Sequence, residues 1–265
     1  MGPDRLHAAA ASAAYAWLFF MLVLNAPAHA DLADTIERIK PAVVGVGTYQ
    51  KTRSPPGRLL GSGFVIGNGR YVATNFHVVS QKLDRAKKEH YAVFAGRGAG
   101  AAMRKAGRIA VDKDHDLAIL RISGPPLPAL KLGDDSRVRE GALYAFTGFP
   151  IGAVLGLYPV THRGIVSAIT PIITPADNAG QLDPALIRQM RNPFNVFQLD
   201  ATAYPGNSGS PLYDPETGEV IGIINSVLVK GKKEHLLSDP SGITYAIPVI
   251  YLKDLVAASE VGAGQ

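Results

Sequence analysis

The sequence contains no cysteine, and that absence excludes several classes of protein at once. Without a thiol the chain has no disulfide scaffold, zinc finger, iron–sulfur centre or cysteine nucleophile. The net charge is also small, because 27 Lys and Arg against 22 Asp and Glu leave a formal +5, which does not by itself indicate a nucleic-acid partner. What the sequence has instead is a hydrophobic fraction of 47%, which indicates a globular chain with a packed core.

The longest apolar run lies at the amino terminus. Arg5 and His7 precede the apolar stretch 8–24, and Ala28-His29-Ala30 follows the helix-breaking Pro27. Small residues at the last and third-last positions are those that signal peptidase accepts, so we predict a signal peptide over residues 1–30, cleaved after Ala30. The alternative is an uncleaved membrane anchor, because the 17 residues of the run approach the length that spans a bilayer.

The chain after residue 30 is predicted to be mostly β. Apolar residues at helical spacing between Leu32 and Ile39, ended by Pro41, indicate a short N-terminal helix. Twelve short apolar runs separated by turn residues follow, at intervals typical of barrels and sandwiches. The runs are 42–48, 62–66, 71–74, 91–95, 107–111, 117–122, 143–147, 164–169, 196–200, 211–213, 220–229 and 243–247. Pro248 is predicted to occupy the first position of a C-terminal helix that reaches Ala257.

A proline-rich stretch divides the twelve runs into two sets of six. Three prolines within residues 124–128 are incompatible with a strand. Strands and helices do not alternate along the chain, so a parallel sheet is not expected. We therefore predict an all-β protein built from two six-stranded antiparallel barrels. The N-terminal barrel would occupy residues 31–123, the joint 124–130, and the C-terminal barrel 131–265.

Three short segments carry residues suited to catalysis. Residues 73–79 place His77 after a strand, residues 114–120 place Asp116 before one, and residues 204–212 place Ser208 between Gly206 and Gly209. Each segment alone has a structural explanation, as a core histidine, a turn residue or a loop. Together they supply a nucleophile, a base with a pKa of about 6.5, a carboxylate to fix its tautomer, and a glycine-rich turn whose N–H groups stabilise an oxyanion.

The same segments resemble the triad motifs of trypsin-like serine proteases, and specifically those of the HtrA/Deg branch. That branch has T-N-x-H-V-V, D-x-A-x-L and G-N-S-G-G around its three catalytic residues. Further matches are Ser62-Gly63-Phe64-Val65-Ile66, Gly164-Ile165-Val166-Ser167-Ala168, Gln198-Leu199-Asp200-Ala201 and Tyr245-Ala246-Ile247-Pro248. The resemblance runs from residue 42 to 255 and implies a chymotrypsin-like double barrel. It assigns His77 as general base, Asp116 as its orienting acid, Ser208 as nucleophile, and the loop Gly206, Asn207 and Ser208 as the oxyanion hole.

The resemblance also implies what such a protein does. We expect an exported, ATP-independent serine endopeptidase that acts on unfolded or damaged proteins and needs no cofactor. The periplasm is the expected compartment and secretion the second choice. Relatives are often trimers held by N-terminal segments, a role that residues 31–40 suit, but a monomer is equally compatible with the sequence.

Several departures from the family pattern are visible. Ser210 replaces a glycine, Gly148-Phe149-Pro150-Ile151 replaces G-N-P-F, and the segment 171–197 is longer than expected. We also expect no PDZ domain after the last helix, and hence no peptide-triggered activation through one.

Specificity follows from the residue six positions before the nucleophile, which lies at the base of the pocket in trypsin-like folds. Here that residue is Thr202, which has no charge to pair with Arg or Lys. The predicted pocket walls are largely aliphatic and comprise Ile224, Asn225, Ser226, Thr244 and Tyr245. We therefore predict small or medium apolar residues before the scissile bond, and Asp200 is the one acid that could reverse this expectation.

Other functions receive less support from the sequence. An α/β-hydrolase would place its histidine after the serine, where only His235 follows, in a Lys-rich loop. The four remaining histidines after residue 30 are His90, His115, His162 and His235, and they lack metal-ligand spacing, so no metal is predicted. Eight basic residues between Lys82 and Arg108 indicate a solvated face or contact with an anionic membrane, and no nucleic acid. A protease fold resting in an inactive state, as a chaperone-like or regulatory binder, is the alternative function.

Overall fold

The computed structural model describes residues 31–150, 156–171, 193–225, 242–259 and 261. The predicted signal peptide and most of the long segment 171–197 lie outside these ranges. The described helices and strands are α1 (Leu32–Ile39), β1 (Val43–Tyr49), β2 (Gly57–Ile66), β3 (Tyr71–Asn75), β4 (His90–Ala95), β5 (Ala102–Asp112), β6 (Leu117–Ile122), β7 (Leu143–Gly148), β8 (Val160–Pro171), β9 (Asn195–Asp200), β10 (Pro211–Tyr213), β11 (Val220–Asn225), β12 (Ile243–Pro248) and α2 (Val249–Ala257).

The strands form two closed antiparallel barrels with the same strand order. The first is ordered β1-β2-β3-β6-β5-β4, and the second, counted from β7, is β7-β8-β9-β12-β11-β10. The first and fourth strands of each set close the barrel, β1 against β4 and β7 against β10. The predicted all-β fold with two six-stranded barrels is confirmed.

Some predicted boundaries differ from the observed ones. Strand β5 begins at Ala102 and not at residue 107, because backbone pairing with β4 continues through a stretch with little apolar character. Strand β11 ends at Asn225 within the described residues, and the rest of the predicted run to residue 229 lies outside them. Pro248 is the N-cap of α2 and does not belong to the helix, because its ψ of 143° is not helical. The helix therefore begins at Val249, one residue later than predicted.

Three apolar clusters account for most of the core. One fills the first barrel and includes Val46, Val65, Val72, Val93 and Leu120. A second fills the other barrel and includes Phe146, Val166, Leu199, Leu212 and Ile224. The third lies between the barrels and against α2, and it includes Phe64, Leu117, Ile119, Ile223, Ile247 and Leu252. Because this third cluster takes residues from β6 and β11, it brings the ends of those strands together.

Helix α1 packs on the second barrel of its own chain. Thr35 and Ile39 are buried, and a Cβ at Gly218 in the β10–β11 turn would lie 3.5 Å and 3.3 Å from their side chains. Arg38 donates from Nη2 to the carbonyl of Glu216 over 3.4 Å. Residues 31–40, which suit a role in trimer contacts, thus already cover a surface of their own chain. Within the described ranges, neither helix is long and apolar enough to cross a membrane.

Candidate active site

His77 and Asp116 lie side by side where two paired strands end. His77 begins the short 3₁₀ turn after β3, and Asp116 directly precedes β6. Oδ2 of Asp116 lies 2.6 Å from Nδ1 of His77, and Oδ1 accepts the backbone N–H of His77 over 2.8 Å. With Nδ1 directed at the carboxylate, Nε2 is the nitrogen that can act as a base.

The backbone of Asp116 adopts an uncommon conformation that the end of β3 supports. Its φ is +53°, in the left-handed region that aspartate tolerates better than most residues. The carbonyl of Asp116 accepts the N–H of Phe76 over 2.9 Å and Nδ2 of Asn75 over 3.2 Å. These bonds hold the turn so that the carboxylate faces His77.

Asn225, at the end of β11 in the second barrel, is a further partner of the carboxylate. Its Nδ2 donates to Oδ2 of Asp116 over 2.8 Å, and the residue is 1% exposed. Asn225 is predicted to line a pocket wall, and its side chain contacts the carboxylate of Asp116. No local pattern signals this contact, because the two residues are 109 positions apart.

A second histidine–carboxylate pair supports the turn before Asp116. Nδ1 of His115 lies 2.6 Å from Oδ2 of Asp112, whose Oδ1 accepts the N–H groups of Asp114 and His115. Burial opposes ionisation of Asp112, but the hydrogen bonds from His115 outweigh it and lower the pKa of this carboxyl. The His115 ring stacks on Tyr251 at 3.9 Å, which anchors the turn to α2.

Ser208 lies in the second barrel beside the turn that carries His77. Its carbonyl accepts the N–H of Ser62 over 2.8 Å. Gly61 lies between Ser208 and Val78, since a Cβ at Gly61 would approach the Ser208 carbonyl to 2.9 Å and Val78 to 2.8 Å. Ser208 is 3% exposed. The fold therefore brings together His77, Asp116 and the loop of Ser208 from distant parts of the sequence.

The loop around Ser208 is made of tight turns. The N–H of Asn207 donates to the carbonyl of Tyr204 over 3.0 Å, and Gly206 between them has a φ of +104°. Pro205 followed by a positive-φ glycine is typical of a type II turn. A Cβ at Gly209 would lie 2.1 Å from the Ser62 carbonyl, so the position requires glycine. Turns of this kind can direct neighbouring backbone N–H groups at one anionic oxygen.

Thr244 fixes the segment that contains Thr202. Its Oγ1 donates to the carbonyl of Ala201 over 2.5 Å and accepts the N–H of Ala203 over 2.8 Å. Thr244 is itself 1% exposed, whereas Thr202, between the two bonded residues, is half-buried. Thr244 therefore holds Thr202, the residue predicted at the base of the pocket, in place.

The other predicted wall residues differ in how far their side chains are buried. Ile224 is fully buried inside the second barrel, and Tyr245 packs against the cluster between the barrels. Ser226 lies outside the described residues. Strand alternation sends successive side chains to opposite faces, and the Ile224 side chain points into the barrel while that of Tyr245 is half-buried. With its side chain inside the barrel, Ile224 can offer a substrate only its backbone.

The described part of the chain holds no group of three or more His, Asp or Glu side chains placed to bind a metal ion. His162 stacks on Phe146 with ring centroids 4.9 Å apart, and burial lowers its pKa. His90 lies 3.2 Å from the carbonyl of Lys88, and His235 is outside the described residues.

Sequence comparison relates this chain to known proteases. The family described as a trypsin-like peptidase domain matches residues 61–223. A probable periplasmic serine endoprotease, DegP-like, of Halomonas elongata is 32% identical over 198 residues, which are 75% of this chain and 34% of that protein. The serine protease HTRA1A of Danio rerio is 30% identical over 232 residues, covering 86% of this chain and 41% of its own. This chain spans less than half of the length of either relative.

Solved structures show the same relationship. An HtrA-type protease solved with a tripeptide superimposes with a TM-score of 0.63 at 26% identity, over 88% of this chain and 65% of that one. The serine endoprotease from Yersinia pestis gives a TM-score of 0.59 at 25% identity, over 86% and 66%. The resemblance to trypsin-like proteases of the HtrA/Deg branch is thereby confirmed.

Proposed function

The chain belongs to the trypsin-like peptidase family, and we propose that it is an HtrA-type serine endopeptidase with His77, Asp116 and Ser208 as its catalytic residues. The observation that carries this proposal is the double contact of the Asp116 carboxylate with the ring and the backbone N–H of His77. A histidine fixed in this way presents Nε2 as the base that a serine nucleophile needs.

In the proposed reaction the Ser208 hydroxyl attacks the scissile carbonyl while Nε2 of His77 takes its proton. The N–H groups of Gly206 and Ser208, on either side of Asn207, stabilise the oxyanion that forms. His77 then gives the proton to the leaving amine, and an acyl-enzyme remains on Ser208. A water deprotonated by His77 releases the acid product and restores the serine.

We propose unfolded or damaged polypeptides as substrates, with a small or medium apolar residue before the scissile bond. The half-buried, uncharged Thr202 supports this preference, because a basic side chain would find no carboxylate at that position. Mass spectrometry of the fragments from a denatured protein tests it. Cleavage after Arg and Lys would contradict it.

We propose that the basic residues between Lys82 and Arg108 make a weak contact with anionic membrane. The periplasm is the proposed compartment. Relatives named periplasmic endoproteases, in Halomonas elongata and in Pseudomonas species, support the periplasm. In a periplasmic extract, we expect to find a mature protein that begins at Asp31.

The oligomeric state is tested separately, because sedimentation of that mature protein distinguishes a monomer from a trimer.

The activity test compares the wild-type protein with Ser208→Ala, using casein as substrate and a fluorophosphonate probe that labels activated serines. Casein cleavage and labelling are expected in the wild type and lost in the variant. Intact casein with both proteins would favour the alternative, a protease fold that binds without turnover. Activity retained by Ser208→Ala would show that another residue is the nucleophile.

A further inference from the structure

Ser62, in β2 of the first barrel, is fully buried and uses every polar group that it carries. Its Oγ donates to the carbonyl of Gly206 over 2.7 Å and accepts the N–H of Phe149 over 2.8 Å. Its N–H donates to the carbonyl of Ser208 over 2.8 Å, and its carbonyl accepts the hydroxyl of Thr74 over 2.7 Å. Two of these bonds end on the loop that carries Ser208, in the other barrel.

We propose that Ser62 is a positioning residue for catalysis, whose hydroxyl holds the Gly206 carbonyl and so orients the N–H groups that bind the oxyanion. The inference rests on the proposed serine-protease function. It adds to that function a residue that lies outside the triad and 144 positions from Gly206.

Ser62 contacts the peptide group between Gly206 and Asn207. This group lies between the two peptide groups that contribute the N–H of Gly206 and the N–H of Ser208. Its own N–H is held by the carbonyl of Tyr204 over 3.0 Å, and its own carbonyl by Oγ of Ser62 over 2.7 Å. A peptide group is planar, so bonds at both ends fix its rotation and the direction of its neighbours.

Removing the Ser62 hydroxyl would release one end of that peptide group. Gly206 already has a φ of +104° and no side chain to hinder rotation. The turn would then sample orientations in which its N–H groups no longer converge on one oxygen. These N–H groups stabilise the transition state more than the bound substrate, because the negative charge on the oxygen develops only in the transition state.

A bridge between two barrels can also serve stability alone, so a matched control is needed. Thr147 is fully buried, and its hydroxyl is bonded to those of Tyr213 and Thr161, both over 2.9 Å. Thr147→Val therefore removes a buried hydroxyl with two partners, as Ser62→Ala does. Neither partner of Thr147 belongs to the turn before Ser208.

The experiment measures kcat and KM for an apolar peptide substrate with wild type, Ser62→Ala and Thr147→Val, at a temperature where all three are folded by circular dichroism. We expect Ser62→Ala to lower kcat about 100-fold with KM within about twofold, the size of effect seen when one oxyanion donor is lost. Thr147→Val is expected to keep kcat within about twofold. A kcat near the wild-type value in Ser62→Ala, or an equal loss in Thr147→Val, would overturn the inference.

A second measurement does not depend on activity. Hydrogen exchange of the Asn207 amide, which closes the turn, is expected to be about tenfold faster in Ser62→Ala and unchanged in Thr147→Val. If the wild type shows no Ser208-dependent cleavage, the proposed function fails, and this exchange still decides whether Ser62 holds the turn. Unchanged exchange in Ser62→Ala would overturn the positioning role.

Discussion

The side-chain amide of Asn225 donates to Oδ2 of Asp116 over 2.8 Å, so the second barrel supplies a partner to an acid carried by the first. The same oxygen faces the ring of His77, and Oδ1 accepts the backbone N–H of His77. The carboxylate is thus bonded on both oxygens and from both barrels. Its orientation depends on how the barrels are docked, and so does the orientation of the imidazole.

Asn225→Ala is expected to lower kcat about 10- to 100-fold with little change in KM, because a hydrogen bond to a charged group contributes about 1.5–3 kcal/mol. Steady-state hydrolysis of a peptide at neutral pH measures it. Asn225→Asp keeps the shape but places a second carboxylate beside Asp116, so a larger loss than with alanine is expected. An unchanged kcat in Asn225→Ala would mean that the bond from Asn225 is not needed to orient Asp116.

Thr244→Val is expected to raise KM about three- to tenfold, because it removes both bonds that hold the segment of Thr202, each worth about 0.5–1.5 kcal/mol. The residue keeps its size, so packing within β12 is preserved. Substrate-dependence curves give KM, and Thr147→Val serves as the control for loss of a buried hydroxyl. A KM that matches the control would show that the Thr202 segment does not need this clamp.

Ser210→Ala is expected to raise the free energy of unfolding by about 1 kcal/mol, since a buried polar group without a partner is costly. Ser210 is fully buried, and among the described residues its hydroxyl has no hydrogen-bond partner. Urea denaturation measures the change. Ser62→Ala removes a hydroxyl that has two partners, so it is expected to lower the free energy of unfolding. A loss of stability in Ser210→Ala would reveal a partner for that hydroxyl.

Glu89→Gln is expected to lower the melting temperature at neutral pH but not in acid. Hydrogen bonds from the Asp84 backbone, then from Thr48 and Arg53, outweigh burial and lower the pKa of Glu89 below its ordinary 4.5. The ionised carboxylate therefore contributes stability that is fully present above pH 4.5 and is lost as the pH falls through the folded-state pKa.

Thermal unfolding of wild type and Glu89→Gln across this pH range checks the expectation. The difference in melting temperature should narrow as the pH falls below 4.5. Glu37→Gln, on the exposed side of α1, is the control and should show little difference at any pH. A difference for Glu89→Gln that stays constant with pH would rule out a contribution from its charge.

Local patterns in the sequence were enough to predict the twelve strands, since each depends on a short apolar run bounded by turn residues. They also placed His77 and Asp116 at strand ends, where a side chain can leave the sheet. The assignment of Ile224 and Tyr245 to a pocket wall stays a prediction, with the Ile224 side chain fully buried in the second barrel and that of Tyr245 half-buried against the cluster between the barrels. Alternation along a strand shows that neighbours face opposite sides, but it does not show which side is the interior.

The sequence by itself therefore determined the strand pattern, the family and the three candidate catalytic residues, because these follow from short-range periodicity and contiguous motifs. Only the tertiary structure decided which groups hold those residues in place. Asn225 reaches Asp116 across 109 positions, and Ser62 reaches Gly206 across 144. Both contacts cross the interface between the barrels, and their geometry depends on how two closed sheets pack, which no local pattern records.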